Sequence, residues 1–278
     1  SELLLSPEVI AADNKLQLRD LAFLVCRGGW PKAVSKQTER AALMQAKEYF
    51  KAICNNDISR ADGITRNTER TRRIMRSYAR HQGSQVSIPT ILEDISVNET
   101  DNLSNETIAS YLSALRKIFV IEDMPAWNPN IRSKTSIRST PTRHFVDTSI
   151  ACRALGVMPE DLMRDLETFG LFFEDMAVRD LRIYAGTFGG EVLHYRDNAG
   201  LECDAVIHLE DGRWGAVEIK LGGDDLIEAG ANSLKRLKSK IEEKSDEKSP
   251  SFLMVLTATG GAYKREDGVY VAPINLLK

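Results

Sequence analysis

The chain has 278 residues, enough for two domains rather than one small core. No apolar run reaches the roughly 18 residues of a membrane span, and with the acidic start Ser1-Glu2 no secretory leader is expected. Net charge is −3 but uneven: residues 1–150 hold 21 Lys+Arg against 17 Asp+Glu (+4), and residues 151–278 hold 16 against 23 (−7). A basic front and an acidic back suit a nucleic-acid-touching module joined to a metal site, and equally two ordinary domains. Cys26, Cys54, Cys152 and Cys203 are widely spread, without CxxC spacing, so reduced thiols and a cytoplasmic location are expected. Beginning with Ser1 rather than Met is expected of a fragment or of a processed chain.

The first 85 residues read as helices. Ala41 to Phe50 is strong helix-former sequence, interrupted upstream by Gly28-Gly29-Trp30-Pro31, where proline holds Trp30 extended. Thr65 to His81 predicts a second helix carrying Arg66, Arg70, Arg72, Arg73, Arg76 and Arg80. Ile88 to Ile95 predicts a short helix, Asn98 to Leu103 a polar turn, and Ser104 the cap of a helix through Lys117 with Ile108, Tyr111, Leu112 and Leu115 on one face. Strands are expected at Ile118–Ile121 and His144–Val146, around an acid-free segment from Asn128 to Arg143. Helix, turn, helix and two strands outline a winged helix. A nucleic-acid surface, DNA for preference, would then use Arg66, Arg70, Arg73, Arg116, Lys117, Arg132, Lys134 and Arg138.

Asp147 reads as an N-cap for a helix ending near Gly156. A long helix follows, with Leu162, Leu166, Phe169, Phe173 and Ala177 on one face. Strands are expected at Val192–Tyr195, Cys203–Leu209, Trp214–Lys220, Phe252–Leu256 and Val269–Val271, with a helix from Asp225 to Glu243 and a charged loop at Lys240–Ser249. The alternation predicts an α/β (α+β) fold with a mixed central sheet behind a helical region.

The segment around Asp211-Gly212 is the most informative. If Glu210-Asp211-Gly212 is a three-residue loop with Gly212 left-handed, Leu209 faces Arg213 and Asp204 faces Glu218. Lys220 shares their sheet face, as does His208, whereas a two-residue turn would slip the register and separate the acids. His144 and His194 sit at strand edges without a partner legible in the sequence. Carboxylates about 5 Å apart need a shared proton, a salt bridge to Lys220, or a divalent cation. Mg²⁺ or Mn²⁺ suits such oxygen ligands, and a neighbouring lysine can orient water and stabilise charge on a phosphate.

Asp204 followed by Glu218-Ile219-Lys220 resembles the PD-(D/E)xK nuclease superfamily, with Cys203 where its proline would stand. The resemblance makes Glu174, in Phe172-Phe173-Glu174-Asp175, the third acid; Glu174, Asp204 and Glu218 would bind the metal and act in catalysis with Lys220. Gly28-Gly29-Trp30-Pro31, Tyr111-Leu112-Ser113-Ala114-Leu115, Pro125-Ala126-Trp127, Phe145-Val146-Asp147, Phe173-Glu174, Tyr195-Arg196 and Glu202-Cys203-Asp204 occur in order. Together they resemble the C-terminal part of bacterial and archaeal AAA+ predicted ATPases, which end in a restriction-endonuclease-like domain (domain of unknown function 4143). That implies an upstream ATPase holding the ATP site, a lid remnant at residues 1–35, a helical and winged-helix domain at 36–150 and a nuclease-like domain at 151–278. This chain lacks a GxxxxGK[ST] phosphate loop. Many such nucleases carry a glutamine after the lysine, and here no Gln follows Gln85. The alternative is therefore a catalytically silent fold that docks DNA or protein for the ATPase.

Overall fold

The computed structural model describes residues 15–96, 103–129, 139–243 and 249–277. They divide into a helical unit (22–96, 103–123 and Thr142–Asp175) and a sheet unit (15–21, 124–129, 139–141 and 176–277). One division between the units falls inside a long helix, at Asp175/Met176. Among the described residues no helix is long and apolar enough to cross a membrane.

The chain enters the helical unit through α1 (Leu18–Arg27), which ends at Gly28-Gly29-Trp30, with Pro31 opening α2 (Pro31–Val34). Gly28 has φ +75°, and a Cβ there would meet Asp147 Oδ1 at 2.2 Å. The Gly29 N–H donates to Asp147 Oδ2 at 2.8 Å and the Trp30 indole N–H to Ser149 Oγ at 2.9 Å. Asp147 therefore does more than cap the helix Thr148–Leu155: besides accepting from Ser149 N–H, it anchors a turn 118 residues away.

The α3 helix (Glu39–Ala52) continues through one π turn at Ile53–Asp57 and one α turn at Ile58–Arg60, numbered α4. The α5 helix (Thr68–Arg80) buries Ile74, Met75 and Tyr78 while Arg76 and Arg80 stay exposed, which is why so arginine-rich a sequence is still a core helix. The α6 helix (Ile88–Ser96) precedes α7 (Asn105–Lys117), whose cap Ser104 accepts from the Thr107 N–H as expected. The polar turn expected at 98–103 lies mostly outside the described residues.

The two strands of the expected wing do not form. Phe119 takes φ +55°, the Phe119 and Val120 amides donate to the carbonyls of Arg116 and Leu115, and this helix-ending turn takes Ile118 and Phe119 out of the strand. What remains is a single antiparallel bridge, Ile121 to Phe145. The chain then runs through α8 (Thr148–Leu155), closed by left-handed Gly156, and α9 (Pro159–Arg164). The single long helix expected here is broken at Asp165 (φ −127°, ψ 86°) before α10 (Leu166–Gly186), so Leu166 is exposed whereas Phe169, Phe173 and Ala177 are buried.

The sheet has six strands in the order β1-β2-β3-β4-β6-β5: β1 (Gly190–Arg196), β2 (Glu202–Leu209), β3 (Trp214–Lys220), β4 (Phe252–Thr257), β5 (Tyr263–Lys264) and β6 (Tyr270–Pro273). β1, β2 and β3 form an antiparallel meander; β3, β4 and β6 run parallel; β5 pairs antiparallel with β6 and had no signal in the sequence. The crossover from β3 to β4 is α11 (Asp224–Glu242), whose Ala231, Leu234, Leu237 and Ile241 pack with Val206, Trp214, Ala216, Leu253, Val255 and Val271. On the opposite sheet face Ala205, Ile207, Leu209, Val217 and Ile219 are also buried. The mixed α/β architecture with a helical region ahead of the sheet is thus as expected.

Candidate functional site

The hairpin between β2 and β3 closes through Glu210-Asp211-Gly212. Leu209 N–H donates to Arg213 O at 2.9 Å, Gly212 N–H to Leu209 O at 3.0 Å, and Gly212 has φ +86°. The ladder pairs Ala205 with Val217 and His208 with Trp214, so its register brings Asp204 opposite Glu218. At this end of the hairpin the Ile219 N–H donates to Asp204 Oδ2 at 2.7 Å, which fixes that carboxylate at the strand edge.

Lys220 joins the two acids. Its Nζ lies 2.9 Å from Asp204 Oδ2 and 2.7 Å from Glu218 Oε2. Of the three options open to facing carboxylates, the structure shows the salt bridge. Glu218 is only 5 % exposed because α11 lies across it: a Cβ on Gly230 would stand 3.3 Å from Glu218 Cβ and from Val255 Cγ2. Glycine at 230 is what lets the helix approach the strand this closely. The Ser233 hydroxyl stands between two acceptors, Glu202 O at 3.2 Å and the Glu218 carboxyl, and its one proton can serve either.

These surroundings set the proton affinities. Burial, then the Asp204 charge, push the Glu218 carboxyl up to about 7, against the opposing pull of Lys220 and Ser233. Burial lowers the proton affinity of Lys220, yet the Asp204 and Glu218 charges outweigh it and hold the ammonium well above its usual range. The neighbouring Cys203 thiol is raised by burial and then by the two acids. Lys220 is therefore a fixed cation, and Glu218 is the group that exchanges a proton near neutrality.

One polar group beside the triad is unsatisfied. Thr257 is the register partner of Lys220 on β4, two residues beyond Val255, and so shares the face of Glu218 and Lys220. It is fully buried, and its Oγ1 has no hydrogen-bond partner among the described residues. A lone buried threonine in an apolar strand gives no signal in sequence.

Glu174 belongs to the helical unit, where its Oε1 would lie 3.1 Å from a Cβ on Gly83. Among the described residues no three His, Cys, Asp or Glu side chains are grouped to hold a metal ion. Within the sheet unit the salt bridges to Lys220 bring together two of the expected carboxylates, Asp204 and Glu218.

Of the residues expected at a nucleic-acid surface, Arg66 is corrected outright. Its guanidinium binds both carboxylate oxygens of Asp62 at 2.7 Å, the Ile58 carbonyl at 3.0 Å and the Ser110 hydroxyl at 3.2 Å, and its side chain is 2 % exposed. Desolvating a guanidinium requires such partners, so it braces the unit rather than facing solvent. Arg70 and Arg73 are half-buried, Arg116 is exposed but bonded to Asp123, and Lys117 is exposed. Arg132, Lys134 and Arg138 lie outside the described residues. His144, unpartnered in the sequence reading, is buried between Thr142 Oγ1 and Asp175 Oδ1, both at 2.9 Å.

Two family models cover most of this architecture. Residues 18–161 match the model described as Domain of unknown function (DUF8612), which takes in over half of the chain. The chain belongs to that family. Residues 169–277 match a second model, Domain of unknown function (DUF4143), and this segment contains the whole sheet with Glu174, Asp204, Glu218 and Lys220. No curated protein and no solved structure matches the chain.

Proposed function

We propose that the sheet unit is a metal-dependent phosphodiesterase of the PD-(D/E)xK kind, within the C-terminal part of an AAA+ ATPase-family protein whose helical unit contacts DNA. One observation carries the reading: a single ammonium stands within 3 Å of carboxylate oxygens from two adjacent strands. That cradle of hard, anionic oxygens is sized for a cation, and two carboxylates completed by water match the ligand habit of Mg²⁺ or Mn²⁺. Bound there, the ion would polarise a phosphodiester and acidify a water. Asp204 and Glu218 would hold it, Asp204 kept in place by the Ile219 amide. Lys220 would donate to a phosphate oxygen as negative charge develops. Glu174 enters as third acid through the family resemblance alone.

The competing reading, a silent nuclease-like fold that docks DNA or protein for the ATPase, is favoured by one observation: Lys220 already bridges both acids. A Mn²⁺-dependent cleavage assay on single- and double-stranded DNA separates the two. Cleavage lost in Asp204→Ala and reduced about 10²–10³-fold in Lys220→Ala supports hydrolysis. Equal activity in all three proteins, or none in any, sinks it; DNA retention without cleavage supports docking.

A further inference from the structure

Resting on the metal-site reading above, we infer that Lys220 is the resident counter-ion of this site and that Thr257 is the acceptor that receives its ammonium when a divalent cation takes its place. A cation bound by Asp204 and Glu218 must use the oxygens that Lys220 now engages, Asp204 Oδ2 and Glu218 Oε2. Both cannot occupy that position, because a dication and an ammonium repel at contact distance. The displaced ammonium cannot lose its hydrogen bonds cheaply, since Lys220 is three-quarters buried.

The vacant acceptor lies on the next strand. Parallel neighbours are about 4.8 Å apart, and register partners project from the same face. The register partner of Lys220 is Thr257. Its buried hydroxyl without a partner is a cost in the metal-free chain, because such a group forfeits its hydrogen bonds to water. A hydroxyl can accept from an ammonium, and none of the other side chains placed around the triad here is both buried and unsatisfied. The step breaks no covalent bond: a dication enters from solvent and raises the charge of the site by two, the ammonium turns, still protonated, from two carboxylates to a hydroxyl, and each carboxylate keeps a cationic neighbour. Thr257 is thus a positioning residue, acting through Lys220.

Calorimetric titration of Mn²⁺ into the full chain without nucleic acid tests this in a double-mutant cycle. Thr257→Val is isosteric; it leaves the thermal midpoint unchanged or raises it, and weakens Mn²⁺ binding about tenfold, the worth of one hydrogen bond to a charged donor. Lys220→Met removes the competitor and tightens Mn²⁺ binding. In the Lys220→Met background Thr257→Val then has no effect. Equal Mn²⁺ affinity in the parent and Thr257→Val, or the same loss in both backgrounds, overturns the exchange while leaving the metal site standing. Absence of Mn²⁺ binding in both the parent and Lys220→Met overturns the metal site and this inference together. Should Lys220→Met not fold, the ¹⁵N resonance of the Lys220 ammonium reports the same move. Mg²⁺ shifts it in the parent chain with exchange protection retained, and in Thr257→Val the protection is lost; protection lost in both, or no shift in either, overturns the proposal.

Discussion

The backbone N–H of Ile219 donates to Oδ2 of Asp204 at 2.7 Å, the same oxygen that accepts from Lys220 at 2.9 Å. One carboxylate oxygen therefore ties the end of β2 to β3 and holds the lysine as well. Asp204→Ala leaves a buried strand amide and an ammonium each short of an acceptor, and is expected to cost about 1–3 kcal/mol. Asp204→Asn keeps an acceptor oxygen and costs less. Urea denaturation of both variants at neutral pH measures the difference; equal losses would remove the hydrogen-bonding role.

Glu218 gives the metal-free chain a pH-dependent stability. Its carboxyl is raised from 4.5 to about 7 in the folded protein, so folding strengthens proton binding. The stabilisation is fully present below pH 4.5 and is lost as pH rises from there to about 7, with an amplitude of roughly 3 kcal/mol at most. Lys220 stays protonated throughout this window and adds no slope. Urea midpoints at pH 5 and pH 8 should differ in the parent, and that component should vanish in Glu218→Gln.

Gly28 packs its α-carbon against Asp147. Gly28→Ala meets both a left-handed φ of +75° and an oxygen 2.2 Å from the new methyl carbon. A loss of about 1–3 kcal/mol is expected from the backbone strain, with more from the clash. Asp147→Ala removes a cap and the acceptor of the Gly29 amide, and should cost about 1–2 kcal/mol. Because the two share one contact, the double variant should fall short of the sum. Strict additivity of the thermal or urea data would count against the clamp.

Arg66 braces the helical unit, so Arg66→Ala should lower the melting temperature by several degrees. It should leave the salt dependence of any DNA binding unchanged. Exposed Lys117 behaves oppositely if it meets phosphate: Lys117→Ala leaves stability alone and reduces the log–log salt slope by about 0.9 on duplex DNA. Fluorescence anisotropy across a salt series reads both.

All four cysteines are free and buried. Burial pushes the Cys54 thiol up to about 12 and raises Cys152 and Cys203 as well. A thiol reagent at pH 8 should therefore react only at the rate of unfolding, and fully in denaturant. Rapid stoichiometric labelling of Cys203 in the native chain would contradict its packing beneath the site.

The sequence by itself determined what depends on near neighbours. The three-residue loop at Glu210-Asp211-Gly212 fixes the hairpin register, and the register places Asp204 opposite Glu218 with Lys220 on the same face. Capping by Ser104 and Asp147, and left-handed Gly156, are likewise local hydrogen-bond geometry. Only the tertiary structure decided how those groups behave. The burial of Glu218 depends on Gly230, from a helix that follows β3 and packs back across it, and the unsatisfied Thr257 stands beside Lys220 through parallel pairing of β4 with β3. The inward turn of Arg66 rests on Ser110, and the His144 pairing on Asp175, 31 residues on. Ile118–Ile121 has strand-forming side chains, yet the helix end placed Phe119 left-handed and the strand was lost. Periodicity and turn chemistry read contacts within a few residues; desolvation and long-range pairing set charge and proton affinity, and they exist only once distant segments pack.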